Sequence, residues 1–293
     1  MLLSDALKGF IFRCRLRGLS DRTIQNYVEN VQKFIYVVTD LELEEASGSD
    51  VEQYIVSLMQ RNVSKNTVAT YLRDLRVFLR YLDKEYKTDL ARAIVFPRTT
   101  RRLVTIYTVD EIKLLYASLP NNKLKERNTL ILSLMLDCGL RRQEVCDLLL
   151  PDIDFDRHIM KVIGKGDKMR WVPFGRTTEK QIRAYLAVRS AGEYDQLLLN
   201  RWGRPIKIDV VKMLFQRIKE NSGLDVSAHK LRHNFATNYL VHQILATGST
   251  DLLQLQIIMG HSDSETTAIY LHLANEFIAL ANSYSFLDEH FGA

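Results

Sequence analysis

The sequence has 293 residues, of which 46% are hydrophobic, and this length is enough for two domains with buried cores. Its longest apolar runs, such as Leu130 to Leu136, are far shorter than the roughly 20 residues of a membrane span, and no signal peptide is visible, so we expect a cytoplasmic protein. The formal net charge of +5, from 40 basic and 35 acidic residues, permits a nucleic-acid-binding face but fits an ordinary solvated surface equally well.

Four amphipathic helices are predicted in residues 1–95, because apolar residues recur there at steps of three and four positions. The apolar positions of the four stretches are Leu3, Ala6, Leu7, Phe10 and Cys14; Ile24, Tyr27, Val28, Val31, Phe34, Ile35 and Val38; Val51, Tyr54, Ile55 and Leu58; and Val68, Tyr71, Leu72, Leu75, Phe78, Leu79 and Leu82. Ser20 with Asp21, and Ser49 with Asp50, stand where N-caps are expected. The stretches predict a four-helix bundle, and no repeat of fixed period is visible.

Residues 96–106 are predicted to be a basic linker between two domains. Pro97 interrupts helical structure there, and Arg98, Arg101 and Arg102 concentrate positive charge. A capping box formed by Thr108 and Glu111 then begins a new helix. We therefore expect a second domain over residues 107–293.

The second domain is predicted to be helical with a small β-sheet. Helices are interrupted near Gly139, and residues 159–163 and 169–174 flank a glycine-containing turn, which is typical of a β-hairpin. Near the end of the chain an apolar stripe predicts an amphipathic helix through Phe277, Leu280, Ala281, Tyr284, Leu287 and Phe291. The expected fold class is thus mostly α, with a four-helix domain followed by a mixed α/β domain.

Four short segments of the second domain carry candidate chemistry: Gly139-Leu140-Arg141-Arg142-Gln143-Glu144, Gly164-Lys165-Gly166, His229-Lys230-Leu231-Arg232-His233, and Gly260-His261 with Tyr270 nine residues later. His229 and Arg232 lie three residues apart, so both side chains emerge on one face of a helix. Taken singly, each segment also has a structural explanation. Arg141 is suited to pair with Glu144, and Tyr270 to pack as an ordinary aromatic residue.

Metal and nucleotide sites are not predicted. His229 and His233 have the spacing of a zinc helix, but Lys230 stands where the metalloprotease motif has its glutamate. Asp152, Asp154 and Asp156 lack the later residues of a calcium loop, and the Gly164 segment lacks the spacing of a phosphate-binding loop. The three cysteines form no close pair, which argues against disulfides and a cysteine zinc site.

The order of G-L-R-x-x-E, G-K-G, H-x-L-R-H, G-H and a following tyrosine resembles the tyrosine recombinases of the phage integrase family, especially compact Xer-like members. The resemblance covers the whole chain. It implies that residues 1–95 are a core-binding domain that clamps DNA and residues 107–293 a catalytic domain. It also implies a site-specific recombinase that needs neither metal nor nucleotide cofactor.

The resemblance assigns catalytic roles to Arg141, Lys165, His229, Arg232, His261 and Tyr270, with Glu144 and His233 in support. Arginine forks suit the phosphoryl oxygens, and His261 adds a hydrogen bond. Tyr270 would attack to form a 3′-phosphotyrosine, with His229 as base and Lys165 as acid, although Lys168 competes for the lysine role. Glu144 is expected to orient Arg141 or His233.

The expected partners are double-stranded DNA with paired half-sites and further copies of the chain, in a tetrameric synapse, with a partner recombinase possible. The linker arginines Arg98, Arg101 and Arg102 are expected to contact phosphates. The C-terminal helix is expected to dock on a neighbouring protomer rather than on its own domain. Residues 241–255 look longer than the corresponding loop of Xer-like proteins.

Two rival functions stay open. One is a nuclease or topoisomerase with the same tyrosine chemistry, and the other is a catalytically degenerate, sequence-specific DNA-binding protein of the same fold. The biological task also stays open between integration or excision of a mobile element and resolution of DNA dimers.

Overall fold

The structure is a computed structural model that describes residues 1–99, 106–164, 166–190, 193–260 and 264–281, and for residues 264–266, 280 and 281 it describes the backbone alone. The chain divides into two compact units, Met1–Arg102 and Leu103–Ala293. Each unit has its own hydrophobic core. Within the described ranges, no helix is long and apolar enough to cross a membrane.

The first unit is the predicted bundle of four helices. The helices are α1 (Leu3–Leu16), α2 (Asp21–Val38), α3 (Gly48–Met59) and α4 (Lys65–Tyr86), followed by one 3-10 turn at Ala91–Ala93. Ser20 caps α2 by accepting a hydrogen bond from the Thr23 backbone N–H. The cap of α3 is Ser47 and not Ser49, because Asp50 accepts from the Ser47 backbone N–H at 2.8 Å.

Helices α2 and α4 share a sequence pattern, although no repeat of fixed period runs along the chain. The matching pairs, 44 positions apart, are Ser20 and Ser64, Thr23 and Thr67, Tyr27 and Tyr71, Asn30 and Asp74, and Phe34 and Phe78. One of these pairs is in contact, since the Asn30 side-chain amide donates to Asp74 at 2.6 Å. The two matching helices therefore pack against each other at equivalent positions.

The second unit contains the other helices and the sheet. Its helices are α5 (Val109–Ala117), α6 (Lys125–Leu136), α7 (Arg142–Asp147), α8 (Arg176–Val188), α9 (Ile208–Ser222), α10 (Ala228–Thr247), α11 (Leu252–Met259) and α12 (Ser264–Ala281). Thr108 and Glu111 form the predicted capping box of α5. Strands β1 (Ile153–Asp154), β2 (Ile159–Ile163) and β3 (Met169–Pro173) form an antiparallel sheet in chain order. The predicted hairpin is thus confirmed.

Helix α6 lies in the middle of this core and is buried on almost every side. The turn that follows it requires glycine at position 139, where φ is +61° and a Cβ would lie 2.3 Å from Cδ1 of Phe235 on α10. The close approach of α10 brings Arg232 beneath the turn, where it donates to the Gly139 carbonyl. The same turn places Arg141 at the start of α7.

Two predictions about the last part of the chain can be compared with the structure only in part. The segment 241–255 is mostly helical, because α10 continues to Thr247 and α11 begins at Leu252. Helix α12 continues past Tyr270, and Ile278 packs partly buried against the core of its own unit while Phe277 is 42% exposed. The other residues of the predicted stripe, from 280 onward, have no described side chains.

Candidate active site

Arg141 is held in place by its own helix and by the end of α11. Its backbone N–H and its Nη1 donate to the two carboxylate oxygens of Glu144, each at 2.8 Å, and its Nη2 donates to the Gly260 carbonyl at 2.9 Å. The predicted pairing with Glu144 is therefore present. About a third of the Arg141 side chain, 35%, nevertheless remains exposed, so the oriented guanidinium is accessible to a ligand.

Arg232 is buried, with 4% exposure, and its guanidinium bridges the turn at Gly139 and the end of α11. It donates to the carbonyls of Gly139 and Met259, and its Nη1 lies 3.9 Å from a Glu144 oxygen. Burial, followed by the nearby charge of Arg141, lowers the pKa of Arg232 to about 10. The group is still protonated at neutral pH, so a buried positive charge lies beside the more exposed Arg141.

Three arginines surround the C-terminal end of α11. Each donates to one of three successive carbonyls: Arg170 to Ile258, Arg232 to Met259, and Arg141 to Gly260. The last carbonyls of a helix lack partners within the helix and carry the negative end of its dipole, so cations are favoured there. The arginines thus hold the chain immediately before His261.

Glu144 is the acidic partner that the same three arginines share. It is 3% exposed, and besides Arg141 it accepts Nη1 and Nη2 of Arg170 at 2.8 Å each. Burial acts to raise the pKa of Glu144, but the hydrogen bonds and charge of Arg170 and the hydrogen bonds from Arg141 outweigh it and lower the pKa to about 2. The predicted orientation of Arg141 by Glu144 has its contacts in the structure.

Arg170 was not among the predicted site residues. The signal was in the sequence, because Arg170 and Val172 share the inward face of the alternating strand β3, while Met169 and Trp171 face outward. A charged residue on the buried face of a strand needs a partner of opposite charge. The partner, Glu144, became evident only in three dimensions.

His229 and His233 follow one another on one face of α10, and Tyr270 on α12 lies beside them. The ring centroids of His229 and His233 are 4.0 Å apart, and those of His233 and Tyr270 are 5.3 Å apart. Partial burial and the charge of Arg232 lower the pKa of His229. Burial, then His229 and Arg232, lower the pKa of His233 to about 4.

Tyr270 is buried, with 2% exposure. Burial raises the pKa of its phenol, while the charges of Arg232 and Arg141 act in the opposite direction. Tyr270 is therefore a packed aromatic residue, as the structural interpretation expects, and it also lies within the electrostatic field of both arginines.

Lys165 and His261 lie outside the described residues, as do Arg101 and Arg102 of the linker. The glycines that precede Lys165 and His261 are described. Gly164 lines a cavity of about 430 Å³ together with Arg141 and Glu144, and the Gly260 carbonyl accepts a hydrogen bond from Arg141. Arg98 is exposed. In the described part of the chain, no group of three or more histidine, cysteine, aspartate or glutamate side chains is placed to hold a metal ion.

Two family models match the chain. The model of the phage integrase family matches residues 105–276, more than half of the sequence. The model of the phage integrase N-terminal SAM-like domain matches residues 7–88. The two matches cover the four-helix unit and the unit that contains the candidate site.

Similar proteins cover nearly the whole chain. Tyrosine recombinase XerA of Thermococcus kodakarensis is 31% identical over 98% of this chain and 97% of its own length. Tyrosine recombinase XerC of Corynebacterium glutamicum is 30% identical over 88% of this chain and 84% of its own. In a crystal structure of a lambda integrase dimer bound to a COC′ core site, the matched chain is 17% identical with a TM-score of 0.75, covering 92% of this chain and 95% of that one.

Proposed function

The chain belongs to the phage integrase family and is an Xer-like site-specific tyrosine recombinase, and from this premise we propose that Tyr270 is the nucleophile that cuts and rejoins DNA. The observation that carries the assignment is the position of Tyr270 within the field of Arg141 and Arg232. A phenol has an ordinary pKa of about 10, so its anion needs such a field near neutral pH.

The arginines supply the charge that the reaction needs. Arg141, Arg170 and Arg232 carry three positive charges against the single negative charge of Glu144, so the cluster has an excess of cations. The five-coordinate phosphoryl group of the transition state is anionic, and preorganised donors stabilise it without reorganising. Arg141 and Arg232, with His261, are the proposed phosphoryl ligands.

The proposed reaction transfers the scissile phosphoryl group between two oxygens. The Tyr270 oxygen attacks phosphorus while His229 accepts the phenolic proton, and the bond to the 5′-oxygen breaks as Lys165 protonates that oxygen. The product is a 3′-phosphotyrosine and a free 5′-hydroxyl. A 5′-hydroxyl from the other duplex then attacks the phosphotyrosine and gives up its proton to Lys165, while the bond to the Tyr270 oxygen breaks and His229 returns the proton to the phenol. This restores a phosphodiester and forms a Holliday junction, with no nucleotide consumed.

Tyr270 must become accessible before it reacts. With 2% of the residue exposed, Tyr270 offers almost no surface to a DNA phosphate. We therefore infer that binding of DNA accompanies a movement of the Tyr270 side chain or of α12. The pKa of the phenol falls in the same movement, because lower burial removes the largest effect that raises it.

The proposed substrate is double-stranded DNA with paired half-sites, on which copies of the chain assemble into a tetrameric synapse. The lambda integrase match, a dimer on a core site, supports action on paired sites. Arg98, Arg101 and Arg102 are the proposed phosphate contacts of the linker. We place the protein in the cytoplasm, acting in mobile-element integration or excision or in DNA dimer resolution, with or without a partner recombinase.

A covalent trapping experiment tests this function. A nicked duplex that carries the recombination site loses a short strand after cleavage, so the protein–DNA adduct accumulates. The wild type is expected to form the adduct, Tyr270→Phe to bind DNA but form none, and Tyr239→Phe, a partly buried tyrosine of α10, to behave as wild type. An adduct with Tyr270→Phe would exclude Tyr270 as the nucleophile.

The same substrates separate the rival functions. A catalytically degenerate DNA-binding protein would bind the duplex without forming any adduct. A nuclease or topoisomerase would form an adduct but would not exchange strands between two sites on one plasmid. Recombinant plasmid from the wild type, together with an adduct, is expected only of a recombinase.

A further inference from the structure

We propose that Arg170 is a positioning residue of the recombination reaction: it links the β2–β3 hairpin to the two phosphate-binding arginines, and its side chain requires glycine at position 260. This inference rests on the proposed function, because it assigns Arg141 and Arg232 to the scissile phosphate. It adds a residue that touches neither DNA nor the reacting atoms.

Arg170 is fixed by a fork and a third hydrogen bond. Its Nη1 and Nη2 donate to the two oxygens of Glu144 at 2.8 Å, and its Nε donates to the Ile258 carbonyl at 2.7 Å. The residue is 8% exposed. A planar guanidinium makes three such bonds in fixed directions, whereas the ammonium of lysine is a point charge without a fork.

The partners of Arg170 are also the supports of the phosphate-binding arginines. Glu144 binds Arg141 through both of its oxygens, and the carbonyls that follow Ile258 accept from Arg232 and Arg141. A displacement of Arg170 would therefore release Glu144 and the end of α11 together. Both phosphate-binding arginines would lose part of their support.

Gly260 makes room for the Arg170 side chain, and Gly164 lies beside it. A Cβ at Gly260 would lie 3.0 Å from Cδ, 3.1 Å from Nη1 and 3.2 Å from Nε of Arg170. A Cβ at Gly164 would lie 3.4 Å from Nη1 of Arg170 and 3.4 Å from Oε1 of Glu144, which is ordinary van der Waals contact. Gly260 immediately precedes His261, so the guanidinium explains why a small residue stands there.

The hairpin ties this packing to Gly164, the described residue that precedes Lys165 in the sequence. Arg170 pairs with Val162 across the two strands, and the Gly164 backbone N–H donates to the Lys168 carbonyl at 2.9 Å. The position of β3 therefore sets the position of Gly164 at the end of β2. Through Arg170 this end of the hairpin is held beside Glu144 of α7.

Substitutions at position 170 test the proposal. Arg170→Lys keeps the charge but loses the fork, and we expect the single-turnover rate of adduct formation at saturating protein to fall about 10- to 100-fold, as for other supporting residues of an active site. DNA affinity should change about twofold or less, because Arg170 contacts no DNA. Arg183→Lys is the matched control, since Arg183 forms an exposed ion pair with Glu179 in the same unit.

The glycines supply a second test that leaves Arg170 in place. Gly260 and Gly223 both end helices with positive φ, +62° and +72°, but a Cβ at Gly223 would meet no atom within 4 Å. Both alanine substitutions strain the backbone, so Gly223→Ala controls for strain at a helix end that lies away from Arg170. Gly260→Ala should slow adduct formation, and Gly223→Ala should leave it unchanged.

A substrate with an uncharged scissile phosphate distinguishes a defect in positioning from a defect in folding. Once the wild type has mapped the cleavage position, one non-bridging oxygen of the scissile phosphate is replaced by a methyl group. Misplaced arginines matter less for an uncharged phosphate, so the defect of Arg170→Lys relative to wild type should shrink. An equal defect on both substrates, or a defect that follows only the folded fraction in thermal melts, would overturn the proposal.

The outcomes also distinguish this inference from the proposed function. If the wild type forms no adduct, the proposed function fails. If the wild type forms the adduct, Tyr270→Phe does not, and Arg170→Lys and Gly260→Ala react at the wild-type rate, only the role of Arg170 is excluded.

Discussion

The imidazole of His233 lies 5.3 Å from the phenol ring of Tyr270, centroid to centroid, and its Nδ1 is buried with no hydrogen-bond partner in the described part of the structure. A protonated imidazole in this position would bring a charge next to Arg232 without a carboxylate partner. His233 therefore belongs to the folded protein in its neutral form, which makes the fold sensitive to acid.

The pH dependence of stability follows from His233. Its pKa is about 4 in the folded protein against an ordinary 6.5, so the unfolded chain binds the proton first. The contribution of His233 to stability should be constant above pH 6.5 and fall as the pH drops toward 4, by at most about 3 kcal/mol. Urea unfolding of wild type and His233→Gln between pH 7 and 4.5 measures this, and parallel curves for the two proteins would contradict it.

Loss of Arg141 and loss of Arg232 should have different consequences. Arg141→Ala should lower the cleavage rate by about 10²- to 10³-fold with little loss of stability, since the Arg141 side chain is partly exposed. Arg232→Ala should lower cleavage as well and also destabilise the fold by about 1–3 kcal/mol for each carbonyl it leaves unpaired.

Single-turnover cleavage and urea unfolding of both variants check this pair of expectations. Arg183→Ala, which removes an exposed arginine of α8, is the control for the loss of a positive charge. Near-normal cleavage in Arg141→Ala or Arg232→Ala would break the proposed cation cluster. Equal loss of stability in both would contradict the difference in burial.

Glu144 should contribute to stability over most of the pH range. Its folded pKa of about 2 lies below the ordinary 4.5, so its contribution is complete above pH 4.5 and is lost as the pH falls toward 2. Glu144→Gln leaves three arginines without their carboxylate, and we expect a loss of about 3–5 kcal/mol at pH 7. Unfolding by urea measures it, and a variant as stable as wild type would show that the carboxylate is dispensable.

The linker arginines should appear in the salt dependence of DNA binding. If Arg101 contacts one phosphate, Arg101→Ala should reduce the slope of log affinity against log salt by about one unit. Arg157→Ala is the control, because Arg157 is exposed in the turn between β1 and β2 and lies near Asp154. An unchanged slope for Arg101→Ala would mean that the linker arginine is merely solvated.

The end of the chain should be needed for assembly rather than for folding. The chain should be truncated after Ala281. A truncation after Asn275 would also remove Ile278, which packs on the core of its own unit. We expect the truncated protein to fold and to bind one half-site, but to occupy paired half-sites with less cooperativity. Gel shifts on one and two half-sites and native mass measurements check this. Undiminished cooperativity would remove the proposed docking on a neighbour, and an unfolded product would favour docking in cis.

Local sequence was sufficient for the four helices of the first unit, the hairpin and most of the caps that were predicted. Periodicity of three to four residues in α2 and α4, and alternation in β3, report a buried face without any knowledge of its partner. The capping box of Thr108 and Glu111 was visible for the same reason, since its two residues are three apart. Ser47 was missed because neighbouring serines offer equivalent local signals.

The family motifs were also visible in the sequence, because each lies within a few consecutive residues. The assembly of these motifs into one site was not visible in the sequence. Arg141 reaches Gly260 across 119 positions, and Arg170 reaches Glu144 across 26. Contacts at such separations depend on how helices pack, and no local pattern specifies them.

The sequence by itself determined the family, the order of the domains and of the motifs along the chain, and the residue types that phosphoryl chemistry needs. Only the tertiary structure decided that Tyr270 is buried, that Arg170 completes the arginine cluster, and that the last carbonyls of α11 hold all three guanidinium groups. The reason is physical: burial and charge neutralisation are properties of the environment of a side chain, and distant parts of the chain create that environment when they pack.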